Sequence, residues 1–199
     1  MTRLVSFIIV GFLIGALAGA GVLLLTGPPG PQPVESSGTA LIGGPFSLTG
    51  TGGKTVTDQD FRGRYMLVFF GFTHCPEICP AELQVIAQAL DKLGDKAKQV
   101  VPVFITLDPE RDTPQVIAEY VKSFGPNFVG LTGTPDEIAA AAKAYRVAYT
   151  KIEDKSSATN YTIDHSALAY LMYQQGRYVA HFAYGMSPQE MAEKLGRFL

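Results

Sequence analysis

Apolar and polar positions follow two periods along this chain, and the switches between them mark its elements. Met66 to Phe70 is an unbroken apolar run closed by Gly71 and the prolines beyond it. A run of that length with no polar face predicts a buried, parallel-type strand from Tyr65 to Phe70. Ala81 to Leu93 then spaces its apolar residues at helical intervals, which predicts a helix ending near Gly94. Val100 to Leu107 is a second apolar strand. Asp112 or Thr113 as cap, with Pro114 at the first helical position, starts a helix carrying Val116, Ile117, Tyr120, Val121 and Phe124. Thr134-Pro135-Asp136-Glu137 repeats that start for a helix through Tyr145. Val147 to Ile152 alternates as a strand, and a polar loop from Glu153 to Asn160 leads to Tyr161 through Ser166. Ala167 to Tyr173 and Tyr178 to Phe182, around Gln174-Gln175-Gly176, predict an antiparallel hairpin, and Ser187-Pro188 opens a closing helix to Phe198. Upstream, Pro45 to Leu48, the Gly52-Gly53 turn and Thr55-Val56 predict a small hairpin, followed by a helical turn to Phe61 capped by Thr57 or Asp58.

The order strand, helix, strand, helix, extra helix, hairpin, helix predicts an α/β fold: a thioredoxin-like mixed sheet flanked by helices. One segment lies outside that pattern. Leu4 to Leu25 contains no charged residue, enough at 1.5 Å per residue to cross a hydrocarbon core of about 30 Å. This predicts an N-terminal transmembrane helix. The alternative is a signal peptide cut at a small-x-small site such as Ala16-Leu17-Ala18. Arg3 and the terminal amine are the only positive charges ahead of it, which favours the rest of the chain lying outside the cytoplasm. Gly27 to Gly38 is Pro, Gly and Ser with almost nothing to bury, a stiff spacer. The predicted organisation is a membrane anchor over 1–26, a linker over 27–41 and a folded domain over 42–199.

With 47% hydrophobic residues over 199 positions, the chain is long enough for one domain with a real core plus that extra segment. Setting Arg3 aside leaves 15 basic against 18 acidic residues. No basic run with interleaved aromatics occurs, so no nucleic-acid partner is expected. The two cysteines, Cys75 and Cys79, lie four apart on the predicted strand-to-helix turn. A disulfide closing so short a loop would constrain little of the unfolded chain, so a purely structural bridge is a poor reading.

Backbone N–H groups at a helix start lack intrahelical partners and favour negative charge, so thiolates are stabilised there. In a thioredoxin-type sheet the stretch just before the closing hairpin lies opposite this turn, which brings Asp164-His165 towards the cysteines. Two thiolates and the His165 imidazole suit a soft or borderline ion. Three ligands satisfy Cu(I), whereas zinc generally takes four or three with a water, which tilts the choice to copper and leaves zinc open. The four-residue spacing keeps both sulfurs on one helical face, available to one ion. The same cysteines would also serve thiol-disulfide exchange, with Cys75 attacking a partner disulfide and Cys79 resolving it; a peroxidase fits less well, because no separate peroxidatic constellation is visible. His74 is expected to point away from Cys75, His181 to be structural or solvent-facing, Met172 and Met186 to fill core, and Asp108 either to bond near the site or to end a turn.

Gly43-Gly44-Pro45-Phe46, Phe61-Arg62-Gly63-Arg64-Tyr65, Gly71 through Pro80, Asp108-Pro109-Glu110-Arg111-Asp112-Thr113 and Asp164-His165-Ser166 together resemble the Sco/SenC family of membrane-anchored copper proteins, in order from Gly43 to the C-terminus. Glu77 and Ile78 stand where Asp and Val are common, conservative changes between the cysteines. The resemblance implies a copper chaperone, not primarily an enzyme, binding Cu(I), with Cu(II) as a second state, through Cys75, Cys79 and His165. It implies assembly of the dinuclear copper centre of cytochrome c oxidase subunit II, a periplasmic copper donor, and a single-pass protein of a bacterial-type inner membrane with its domain on the periplasmic side. It also implies that some members act as thiol reductants, on cysteines of the oxidase subunit, or as redox sensors.

Overall fold

Tyr65–Gly71 (β3) is buried at every position, as its unbroken apolar run requires. This computed structural model describes residues 41–155 and 160–199. The expected membrane helix, its cleavage site and nearly all of the linker lie outside them. Among the described residues no helix is long and apolar enough to cross a membrane.

β3 is central in a five-stranded mixed sheet. Val100–Thr106 (β4) lies parallel on one side of it, with Val129–Leu131 (β5) parallel beyond. Leu168–Met172 (β8) lies antiparallel on the other side, with Tyr178–Ala183 (β9) outermost. The order β5-β4-β3-β8-β9 is the mixed sheet expected of a thioredoxin-like fold. Two small antiparallel pairs accompany it: Ser47–Thr49 (β1) with Thr55–Thr57 (β2), bridged to the chain after β5 through Thr49 and Thr132, and Tyr149–Glu153 (β6) with Tyr161–His165 (β7).

Alternation along β3 sends side chains to two cores. Phe69 packs towards Phe104 at a ring separation of 6.5 Å, and Tyr120 of Pro114–Lys122 (α2) adds 5.5 Å from Phe104 on that face. Phe70 faces the other way onto Tyr145, 5.3 Å off, just past Pro135–Ala144 (α3). Ile78–Leu93 (α1) buries Cys79, Leu83, Ile86 and Ala89 and packs beside Pro188–Leu195 (α4), whose Met191 and Leu195 are fully buried.

The observed elements depart from the expected ones in four places. α1 begins at Ile78, so Cys79 lies within its first turn. β5, three residues long, was not anticipated. Its Gly130 is closed on by Ile117, whose Cγ2 would clash with an added Cβ, and such close backbone approach leaves little side-chain pattern to read. Gly94–Gln99, between α1 and β4, is a 3-10 segment that the sequence pattern did not predict. The stretch before the closing hairpin is a strand, β7, paired with β6 in full register from Tyr149 opposite His165 to Glu153 opposite Tyr161.

Candidate metal centre

The site grows out of the end of β3. Gly71 has no side chain because there is no room for one: a Cβ there would stand 2.8 Å from Cys79 Sγ and 3.0 Å from the Phe104 ring. The chain then turns, with Cys75 N–H donating to the Phe72 carbonyl at 3.2 Å. Cys79 enters α1 fully buried, while Cys75 is half-buried; both are free thiols. The Cys79 N–H is one of the first-turn donors without an intrahelical partner. It donates to Cys75 Sγ at 3.3 Å, so the upstream sulfur caps the helix that carries the downstream one.

His165, the last residue of β7, closes the site from across the turn. Its Nε2 lies 3.6 Å from Cys79 Sγ, and its Nδ1 lies 3.2 Å from the Ser166 carbonyl. A carbonyl only accepts, so Nδ1 is the donor in that contact, and Nε2 is the nitrogen turned towards the sulfurs. The ring is held edge-on by Phe69 and Phe72 at 6.2 and 6.1 Å. Ser166 N–H donates to the Ala148 carbonyl at 3.0 Å and extends the β6–β7 pairing past the histidine.

The two sulfurs share protons unequally. A hydrogen bond from Cys79 pushes the Cys75 thiol down to about 4, helped by His165 and by the backbone N–H groups of Cys79 and Glu77. Cys79 is pushed far up, first by donating its proton to Cys75 and then by burial. The pair titrates as a unit. Its neutral-pH state is one thiolate, on the more exposed sulfur, facing one buried thiol.

The donors fit a soft or borderline ion. An ion about 2.3 Å from a sulfur and about 2.0 Å from an imidazole nitrogen spans the 3.6 Å between Cys79 Sγ and His165 Nε2 at a bond angle of about 110°. Among the described residues no group of three or more His, Cys, Asp or Glu side chains stands together as a metal site. Beside them a groove of about 250 Å³ opens between Pro76, Glu77 and Ile78 on one bank and Thr162 and Asp164 on the other.

Other candidates fall elsewhere. His74 is exposed, with Nδ1 3.1 Å from Thr73 Oγ1 and 3.8 Å from Asp112. His181 is exposed and bonded to the Tyr178 hydroxyl at 2.6 Å. Met172 is core; Met186 is partly buried, and Lys194 Nζ approaches its sulfur at 3.9 Å. Asp108 is buried, and its carboxylate accepts from Arg111 Nε and the Tyr161 hydroxyl.

Asp112 has a role that its place before a helix did not reveal. Thr113 caps α2, accepting from Val116 N–H at 3.3 Å. The wholly buried Asp112 instead accepts from Thr73 N–H at 3.0 Å, Thr73 Oγ1 at 2.5 Å and Thr106 Oγ1 at 2.6 Å. It pins the cysteine loop two residues before Cys75.

Residues 34–199 match the SCO1/SenC family model. The chain is 49% identical over 148 residues to the mitochondrial Protein SCO1 homolog 1 of Arabidopsis thaliana, covering 74% of this chain and 44% of that protein. It is 42% identical to the human mitochondrial Protein SCO1 homolog, covering 79% of this chain and 53% of that one. It thus spans about half the length of these mitochondrial relatives. Against an SCO2-like protein of Rickettsia prowazekii it is 38% identical, over 94% of this chain and 92% of the other. Among solved structures, Arabidopsis thaliana ScoI with copper bound superimposes with a TM-score of 0.75 at 44% identity, covering 78% of this chain and 96% of that one. Bradyrhizobium japonicum ScoI with copper bound gives 0.72 at 46% identity, covering 79% and 99%.

Proposed function

Because the chain belongs to the SCO1/SenC family, we propose that it is a copper metallochaperone of cytochrome c oxidase assembly, holding Cu(I) through Cys75, Cys79 and His165. The observation that carries this is Nε2 of His165 facing Cys79 Sγ at 3.6 Å, with Nδ1 3.2 Å from the Ser166 carbonyl. Metal-ligating histidines are commonly oriented by such a bond on the second nitrogen. Copper-bound structures of two relatives support the choice of metal.

In this reading copper is cargo. It arrives from a periplasmic donor, displaces the proton of Cys79, and leaves by ligand exchange to the dinuclear copper site of subunit II. A three-ligand site beside an open groove suits release, because a closed four-ligand shell would trap the ion. The apolar segment Leu4 to Leu25 would anchor residues 1–26 in the inner membrane, with 27–41 as spacer and 42–199 as the periplasmic copper domain.

The test is an anaerobic Cu(I) competition titration of the full chain against a chromophoric chelator. One ion should bind. Cys75→Ser or Cys79→Ser should abolish tight binding, and His165→Ala should weaken it on the order of a hundredfold. Undiminished binding by the double serine variant would place the copper elsewhere.

The unequal sulfurs favour a second reading, thiol-disulfide exchange. Here the Cys75 thiolate attacks one sulfur of a partner disulfide and expels the other as a thiolate. Cys79 then gives up its proton and attacks Cys75, leaving the partner with two thiols and this chain with a Cys75–Cys79 disulfide. This reaction does not need His165. Copper binding indifferent to His165→Ala would favour exchange over delivery.

A further inference from the structure

Among the described residues the strand that carries His165 belongs to no larger sheet: β6 and β7 pair only with each other. Contacts from β7 to the body must therefore come largely from side chains. Tyr161, Ile163 and His165 alternate along β7 and share one face. Ile163 is buried, and Tyr161 makes the polar contacts at the far end from His165.

The Tyr161 hydroxyl donates to Asp108, 2.9 Å from Oδ1 and 3.2 Å from Oδ2. Asp108, 2% exposed, is itself fixed: its N–H donates to Thr106 Oγ1 at 2.8 Å and Arg111 Nε donates to its carboxylate. The Arg111 guanidinium lies over the Tyr161 ring at 4.0 Å and also over the Phe72 ring at 5.8 Å. Phe72 in turn meets the His165 ring edge-on at 6.1 Å, and its carbonyl accepts from Cys75. Contacts thus run without a break from the start of β7, through Arg111, to the one aromatic ring that touches the histidine and belongs to the cysteine loop. Lys151 of β6 adds a second cation over Tyr161, at 4.3 Å, and pairs with Glu110 at 2.8 Å.

We propose that Tyr161 is a positioning residue for copper: bonded to Asp108 and stacked with Arg111, it holds β7 against the cysteine loop so that Nε2 of His165 stays on Cys79 Sγ. The proposal rests on His165 being the third copper ligand. A charge-assisted bond to a buried carboxylate and a cation over the ring are the contacts by which a strand outside the main sheet can be held in place. Ligand sites lose affinity when such support loosens by a fraction of an ångström.

The test is a double-mutant cycle in the full chain, Tyr161→Phe against His165→Ala, read as the rate at which Cu(I) passes to a chelator. Tyr161→Phe keeps the ring over Arg111 and removes the bond to Asp108. Copper should leave about tenfold faster in that variant, and in the His165→Ala background the same substitution should change the rate less than about twofold. A metal-free readout runs beside it. The His165 ring protons, shifted by the edges of Phe69 and Phe72, should move in the nuclear magnetic resonance spectrum of Tyr161→Phe while the amides of α1 stay in place. Equal acceleration in both backgrounds overturns the proposal, since Tyr161 would then act on the site without His165. An unchanged copper rate with unmoved His165 resonances overturns it as well. If His165→Ala alone leaves copper binding intact, the ligand assignment fails, and the metal-free spectrum separately decides whether Tyr161 positions the ring.

Discussion

Gly71 and Glu82 show how single side chains shape the motif helix and its approach to the sheet. Gly71→Ala puts a methyl 2.8 Å from Cys79 Sγ, against a ring 3.0 Å away that cannot yield easily. The sulfur has to shift, so Cu(I) affinity should fall about tenfold or more in a chelator titration while the domain still folds. Glu82 lies one turn past Cys79, 1% exposed, and among the described residues neither carboxylate oxygen has a partner. Burial pushes it up to about 7 from 4.5. Below the unfolded value the group is neutral in both states and carries no charge penalty. As pH rises from about 4.5 to about 7 the unfolded chain ionises first, and stability is lost until the folded carboxyl ionises too. Glu82→Met should therefore stabilise most at pH 8, on the order of 2 kcal/mol, and much less at pH 4, measured by urea unfolding at both. The sequence presents Glu82 as one more polar residue of an amphipathic helix; only the packing of α1 shows that it faces inward.

At the scale of elements, legibility followed apolar content. β3, β4 and α1 bury their own pattern, so periodicity was enough, and the hairpin β8–β9 was marked by its turn residues. The approach of His165 to Cys79 was legible for the same reason, because the order of elements places the end of β7 opposite the turn. What the pattern did not disclose is the support around it. β7 is Tyr-Thr-Ile-Asp-His, mostly polar, and is a strand through its pairing with β6. Asp112 read as a helix cap because caps and loop anchors use the same acidic residue before a proline-led helix. The two roles separate under Asp112→Asn. A cap would lose little, since an asparagine caps as well as an aspartate. An anchor accepting three hydrogen bonds in the core would lose about 1–3 kcal/mol, visible in denaturant unfolding, and Cys79 should become reactive to an alkylating reagent sooner than in the parent.

Across the whole molecule, the three proposed copper donors come from distant parts of the chain: two from the turn after β3 and one from a strand 86 positions beyond Cys79. Only the folded chain brings them together, so on the proposed function copper binding and folding are linked, and saturation with Cu(I) should raise the unfolding temperature in proportion to affinity. The proton balance of that step follows from the unequal sulfurs. Cys75, at about 4, is already a thiolate across the neutral range. His165 turns Nε2 towards the sulfurs and Nδ1 to the Ser166 carbonyl. Cys79, pushed far up by its hydrogen bond to Cys75 and by burial, holds a proton that copper would displace. Loading at pH 8 should therefore release about one proton per ion, not two, and apparent affinity should fall about tenfold per unit of falling pH while that proton is in place. Titration calorimetry in two buffers of different ionisation enthalpy counts the protons directly. A count of two would mean that Cys75 carries a proton in the folded domain, and that the Cys79 hydrogen bond does not hold it as a thiolate.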